Sequence, residues 1–151
     1  MAQATDGITY QNVDVFYSTN GSSWTEVSGE TNQVATSGFA RPKTETATFE
    51  SSTSGPIVMV GSKGSGEVTI TALYRENASA LFKVALDAWS NNSDLYFRWT
   101  PKGTTTGNYR FTTGAGRVLV QPLPVGQASS GDILTMDIGI TVGAVTQDTV
   151  P

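Results

Sequence analysis

Residues 67–75, EVTITALYR, run straight into residues 76–89, ENASALFKVALDAW, and at the junction the hydrophobic period changes from two to between three and four. Val68, Ile70, Ala72 and Tyr74 fall on one side of the first run, with only Leu73 breaking the alternation, which predicts a half-buried strand. In the second run Ala78, Leu81, Phe82, Ala85, Leu86 and Trp89 line one stripe, which predicts an amphipathic helix over about residues 77–90. Asn77 is placed to cap it and Asn91-Asn92 to end it. No other segment reads convincingly as a helix, so the expected architecture is mainly β with a single flanking helix laid over a small sheet. The helix's other face, with Lys83 and Asp87, gains functional meaning only if a second subunit meets it.

Outward from this centre, the remaining signals are those of strands and turns. Val13–Ser18 is followed by Asn20-Gly21, a hairpin signal because both residues tolerate positive φ, and Trp24–Val27 is the expected return strand. Towards the carboxy terminus, Leu95–Thr100 places Leu95, Phe97 and Trp99 on one side, and Asn108–Thr113 follows a Pro101–Gly107 turn. Arg117–Val125 is broken by Pro122 and Pro124, which cannot donate ladder hydrogen bonds, so an edge, bulge or crossing is expected there. The cleanest alternation is Ile133–Val142. Its Leu134, Met136, Ile138, Ile140 and Val142 share one face, and Ile133, Thr135, Asp137, Gly139 and Thr141 share the other. That second face should meet water or a neighbour.

Between these units, residues 30–63 are rich in Ser, Thr and Gly, with apolar character only at Thr46–Phe49 and Ile57–Val60 and a further Phe39. Such content suits a long, partly β excursion better than a linker, and long excursions in compact domains are usually functional. It is a candidate contact surface.

Composition narrows the function. The 151 residues suit one domain (1–151), with residues 1–9 as a loose leader. Thirteen acids against nine bases, with no basic run, argue against gripping a phosphate backbone. They leave room for a conduit whose acidic wall repels DNA. With no His and no Cys the chain lacks the commonest general base, soft metal ligands and most nucleophile triads, so neither an enzyme nor a cofactor is expected. Asp132 with Asp137, or Glu45 with Glu50, are conceivable paired carboxylates for glycoside hydrolysis, but solvated strand and loop acids are the plainer reading. Gly61, Gly64 and Gly66 precede a strand, not a helix, and read as a turn rather than a phosphate cradle. Met1–Tyr10 shows no secretory signal, so the Asn20, Asn77 and Asn91 sequons are expected to be bare. No run approaches the length of a membrane span. Trp89 and Trp99 read as core, while Trp24 stays open.

The order of parts resembles the major tail tube proteins of long-tailed, non-contractile bacteriophages, the lambda-like siphovirus family. The likeness rests on SSWTEVSG (22–29), TATFESSTSGPIVMVGSKGSGEVTITALYRENASALFKVALDAW (46–89), LYFRWTPKG (95–103) and GDILTMDIGITVGAVTQ (131–147), together with their spacing. The resemblance implies an antiparallel β-sandwich or small barrel of phage tail tube type with one flanking helix. It also implies a homo-oligomer of hexameric rings, stacked into a hollow tube for DNA ejection and capped by other tail proteins. The chain would be made in a bacterial host cytoplasm and end in the virion tail, with no membrane binding of its own. Members use the long loop before the central strand to reach the next ring, which here is about residues 44–60. Thr44, Glu45, Thr46, Phe49, Glu50, Ser51, Pro56 and Ile57 would form the ring-stacking contact. One sheet per subunit joins a continuous barrel, and Thr135, Asp137 and Thr141 would face the lumen.

The competing expectation is a carbohydrate-binding or adhesin-like β-sandwich, motivated by the polar composition and the three tryptophans, Trp24 above all.

Overall fold

The computed structural model describes residues 13–47, 55–126 and 133–151. Its strands in chain order are β1 (Asp14–Ser18), β2 (Thr25–Glu26), β3 (Thr31–Gly38), β4 (Lys43–Thr46), β5 (Ile57–Val60) and β6 (Gly66–Leu73). The helix α1 (Leu81–Asn91) follows, then β7 (Tyr96–Thr100), β8 (Tyr109–Thr113), β9 (Gly116–Val118), β10 (Thr135–Val142) and β11 (Val145–Thr149). All pairings are antiparallel, giving a five-stranded sheet β11-β8-β7-β1-β2, a four-stranded sheet β3-β6-β10-β9 and a separate β4-β5 hairpin.

The two cleanest alternating runs of the sequence are the two central strands of the four-stranded sheet. β6 and β10 pair along their whole length, from Leu73 opposite Thr135 to Gly66 opposite Val142. Because side chains alternate across a strand, this register stacks Val68, Ile70 and Ala72 beside Met136, Ile138 and Ile140, all fully buried. Val15 and Phe97 meet them from the facing sheet, and Leu81, Ala85 and Ala88 of α1 close the same core. A backbone bridge between Leu95 and Gly116 ties the sheets together, with N–H to O distances of 2.9 and 3.1 Å.

The first hairpin forms as expected. Gly21 takes the positive φ (75°), and Asn20 accepts the amide N–H groups of Ser22 and Ser23 at 2.9 Å each through its side-chain oxygen. Asn92 ends α1 in the left-handed conformation, its N–H reaching the carbonyls of Ala88 and Trp89.

Several sequence expectations need correction. The helix begins at Leu81, not near 77, and Asn77 does not cap it. Residues 77–80 form a turn in which Ala80 N–H bonds the Asn77 carbonyl at 3.1 Å. The Glu30 carboxylate, remote in sequence, accepts the Leu81 N–H at 3.3 Å and an Arg75 N–H at 3.2 Å. Trp89 is 38% exposed and Leu134 44% exposed rather than core: the buried helical stripe is the narrower Leu81–Ala85–Ala88 row, and Leu134 lies before the paired part of β10. Arg117–Val125 keeps only three strand residues. Pro122 is fully buried, and Val125 returns to bridge Thr135. Thr31–Gly38 and Val145–Thr149, given no strand in the sequence reading, are both strands. Each is polar and largely exposed, so neither carries the hydrophobic signature by which strands are read.

The Glu30 contact gives a quantitative expectation. A carboxylate at a helix N-terminus contributes about 1 kcal/mol, more when partly buried, and the Glu30 side chain is only 13% exposed against 51% for Arg75. Glu30→Ala should therefore lower unfolding stability by about 1–2 kcal/mol in urea titration. Arg75→Ala should cost less than half of that.

Candidate assembly surfaces

The four-stranded sheet has one face in the core and one bare. On the bare face the register aligns Gln33, Thr71 and Asp137 in one row, Ala35, Thr69 and Gly139 in the next, and Ser37, Glu67 and Thr141 in a third, with Arg117 beside Thr141. Gln33, Ser37, Glu67, Asp137, Thr141 and Arg117 are exposed. The Thr71 hydroxyl donates to the Asp137 carboxylate at 2.6 Å. The expected candidates Thr135, Asp137 and Thr141 thus lie together on this hydroxyl-rich, mildly acidic surface, which no described element covers.

Among the described residues the edges of the same sheet are incompletely paired. Among the described residues β3 pairs only with β6, leaving eight residues of backbone unpaired along the other side. At the opposite edge β9 covers only the last three residues of β10, and its Gly116 is already bonded to Leu95. Unpaired edges invite pairing with another chain unless something blunts them.

The β4-β5 hairpin prolongs the β3/β6 ribbon past the end of the sheet. Phe39 N–H bonds Ser65 O at 3.1 Å, Gly64 N–H bonds Ala40 O at 2.8 Å and Gly61 N–H bonds Pro42 O at 2.8 Å, after which Lys43 pairs with Val60. At the root, Gly38 and Phe39 both have positive φ, 80° and 57°. For a bulky residue such as Phe39 this is costly backbone, tolerated where the surroundings over-determine it. The ribbon is tight there as well: a Cβ on Gly66 would lie 2.5 Å from the Phe39 ring and from the Ser37 carbonyl. These residues set the direction in which the hairpin leaves the body.

Of the expected stacking residues, Thr44, Glu45 and Thr46 sit on β4 opposite Met59, Val58 and Ile57 of β5, and Pro56 precedes β5. Phe49, Glu50 and Ser51 lie outside the described residues. Ile57, Val58, Met59 and Val60 are 50–68% exposed, and because neighbours in a strand point to opposite sides, each face of the hairpin carries bare apolar side chains from β5 beside the polar ones of β4. Lys43 pairs with Glu45 on the hairpin's surface. An isolated two-stranded hairpin is marginal in water, and one with apolar residues on both faces has still more to gain from a cover. The sequence marked Ile57–Val60 as apolar but could not show that the rest of the chain leaves it bare.

A cleft of about 740 Å³ opens between the sheets beside the hairpin root, lined by Val34, Phe39, Trp99, Phe111 and Val145 among others. Trp99 stacks on Phe111 there, with centroids 5.6 Å apart. On the outer face of the five-stranded sheet the Arg98 guanidinium lies 3.9 Å from the Trp24 ring centroid. Burial and the neighbouring Arg110 charge pull the Arg98 pKa down. Arg110 also forms an ion pair with Asp148 on β11, holding that carboxyl below the ordinary aspartate range. The three tryptophans therefore sit apart, on a sheet's outer face, in the cleft and on the helix, and form no shared stacking platform.

Glu45 and Asp137 lie on different elements, and their expected partners Glu50 and Asp132 are outside the described residues. Among the described residues no three of His, Cys, Asp and Glu gather as a metal site, and no helix is long and apolar enough to cross a membrane.

No family model matches the chain, and no curated protein matches it in sequence. Solved structures do match in fold. A chain of the anti-feeding prophage (AFP) baseplate, 6-fold symmetrised, superposes with a TM-score of 0.71 at 8% identity, covering 98% of this chain and 99% of that one. A chain in the tail of an empty GTA particle, computed with helical refinement and C6 symmetry, gives 0.64 at 11% identity over 96% and 98%. A chain of the SPP1 tail tube, from solid-state NMR and cryo-EM, gives 0.64 at 11% identity over 95% of this chain and 80% of that one. The chain shares the fold of these solved chains, and its described residues form antiparallel sheets with one helix.

Proposed function

We propose that this chain, acting as one domain, is the structural subunit of a bacteriophage-type tail tube: rings of six copies stacked into a hollow conduit for DNA. The observation that carries the reading is the four-stranded sheet, which among the described residues is polar and bare on one face, unpaired along the outer side of β3 and only partly paired along the outer side of β10. A ring joins such edges copy to copy and so removes them, as closure of a barrel does. Six copies of four strands make a barrel of six times four, or 24, strands. Its inner wall would carry Thr135, Asp137 and Thr141, a surface of hydroxyls and acids to which a phosphate backbone does not adhere. The β4-β5 hairpin, reaching past the sheet with apolar side chains bare on each face, is the ring-stacking element, including Phe49, Glu50 and Ser51 of its connecting segment. The shared fold with a tail tube chain supports the same role. It fits a non-catalytic virion protein, made in a host cytoplasm, whose other partners are the tail proteins at the tube ends.

Negative-stain microscopy and sedimentation of the purified chain test this directly. Rings or tubes are expected at high concentration, and a strictly monomeric protein there would overturn the proposal. Deleting residues 51–56 should preserve the circular dichroism spectrum and melting temperature but stop growth at single rings. Tubes of normal length from that deletion would remove the hairpin from the stacking role.

A further inference from the structure

A small pocket opens on the outer face of the five-stranded sheet, which the barrel just proposed does not use. Its floor follows from the strand register. Arg98 on β7 stands directly opposite Phe16 on β1 and Thr112 on β8, and Thr100 and Arg110, each two residues along its own strand, share that face by alternation. The Arg98 Nε–H donates to the Thr112 hydroxyl at 3.1 Å, in keeping with that placement. Two further segments fold over this floor. The Pro101–Gly107 turn is held by the Asn108 side-chain amide, which donates to the Lys102 and Gly103 carbonyls at 3.0 and 3.2 Å. The carboxy-terminal end is pinned beside it, with Gly107 N–H bonded to Val150 O at 2.8 Å and Val150 N–H to Asn108 O at 2.9 Å. Phe16, Trp24, Thr104 and Val150 thus wall a space of about 130 Å³ over Arg98, Thr100 and Arg110.

Two polar groups in this pocket lack a partner of the kind their chemistry favours. The Thr100 side chain is 1% exposed, and its hydroxyl oxygen has no hydrogen-bond partner among the described residues. Buried hydroxyls are bonded in the large majority of cases, so an unpartnered one marks a place where a ligand gains an interaction without breaking another. Arg98 is the second. Arg110 is neutralised by both oxygens of Asp148, whereas Arg98 forms no ion pair among the described residues. Asp14, opposite Thr100, and Glu26, opposite Phe16, are further acids of this face, and neither is within ion-pair distance of Arg98. Thr112 takes the Arg98 Nε–H and the Trp24 ring takes one side of the guanidinium, which leaves both terminal nitrogens to donate elsewhere. Burial and the Arg110 charge pull the Arg98 pKa down, as befits a cation with too little opposite charge around it.

We propose that this pocket binds a small oxyanion, a carboxylate or phosphate group, on the terminal nitrogens of Arg98, with the Thr100 and Thr104 hydroxyls as further donors. The proposal does not depend on the tube reading. A guanidinium presents paired N–H groups that match two oxygens of either anion. Its contact with Trp24 holds that fork in place, so little freedom is lost on binding. Size sets the class of ligand. Pockets for drug-sized molecules run to about 300–1,000 Å³, and a space of about 130 Å³ admits one ionic group rather than a sugar or a nucleotide. A group seated there touches β7, the 101–107 turn and the carboxy-terminal end together. It therefore stabilises the folded chain by mass action.

The purified chain, exchanged into a chloride buffer, is titrated separately with isotope-labelled acetate and with inorganic phosphate at constant ionic strength, and the anion's own NMR line width is followed. This readout works whether the chain is monomeric or assembled. Saturable broadening is expected with at least one of the two anions, and the one that binds identifies the group the site takes. Arg98→Gln should weaken binding at least about tenfold, the usual worth of a hydrogen bond to a charged group. Thr100→Val keeps the side chain's shape and should weaken it severalfold. Arg98→Lys keeps the charge without the fork and should fall between parent and Arg98→Gln, which preserves the comparison if circular dichroism shows Arg98→Gln to be misfolded. At saturating anion the melting temperature should rise in the parent more than in either Arg98 variant. No saturable broadening by the folded parent would overturn the proposal. Equal broadening by parent and Arg98 variants would mean general adsorption and overturn it too. Parent-like affinity in Thr100→Val, with loss only in the Arg98 variants, would place the anion on a bare surface charge and overturn the pocket.

Discussion

The double substitution Val58→Asp, Met59→Asp is expected to produce a fully folded protein that no longer grows along the tube axis. The two residues are 50% and 68% exposed and point to opposite sides of β5, so one change charges each face of the hairpin. Neither contacts the core, and surface changes away from buried features shift stability by about 0.5 kcal/mol or less. The melting temperature should therefore stay within a few degrees of the parent. In an assembled tube the same two side chains would be buried, each contributing about 1.5–3 kcal/mol, and the introduced carboxylates would have to be desolvated as well. A combined loss of about 3–6 kcal/mol per hairpin corresponds to a rise in the critical concentration of at least 100-fold. Sedimentation across a concentration series measures it. Unchanged assembly by the folded double variant would mean that the hairpin is not buried between rings.

The largest expected loss of stability comes from Phe97→Ala. Phe97 is fully buried between the two sheets, opposite Tyr17 in β1, and its backbone N–H donates to the Thr113 hydroxyl at 2.9 Å. Removing the ring leaves a cavity bounded by two sheets and a helix that cannot all collapse onto it, and such changes cost about 3–5 kcal/mol. Against the 5–15 kcal/mol typical of a domain, that is a large share, equivalent to a fall in melting temperature of roughly 6–20 °C. Urea and thermal unfolding followed by circular dichroism give the value. A cost below about 1 kcal/mol would show that the sheets close readily over the vacated space. Assembly of Phe97→Ala should suffer only in proportion to the unfolded fraction, which separates it from the hairpin variant.

Much of the architecture was readable from residue order because burial imposes a period. The buried faces of β6 and β10 were legible along their paired lengths, though not at their ends, since a one-residue slip would expose Val68, Ile70, Met136 and Ile138 together. The end of α1 at Asn92 was legible for a local reason, the tolerance of Asn for the left-handed conformation. β3 and β11 were not, because edge strands take their place from backbone pairing and need no apolar pattern. The helix start was misread because its first N–H is held by Glu30, fifty-one residues upstream.

The candidate surfaces divide along the same line. Alternation alone put Thr135, Asp137 and Thr141 on one side of β10, and composition alone excluded a histidine or cysteine site, because these are properties of neighbouring residues or of counts. Whether that side is bare, whether Ile57–Val60 is packed or exposed, and whether Val125 bridges Thr135 are relations between segments that local patterns do not carry. Exposure is what remains after every other element has taken its position, and no local pattern carries that information. For this chain the strand period settled what must be inside, and the assembled sheets settled which apolar residues were left outside.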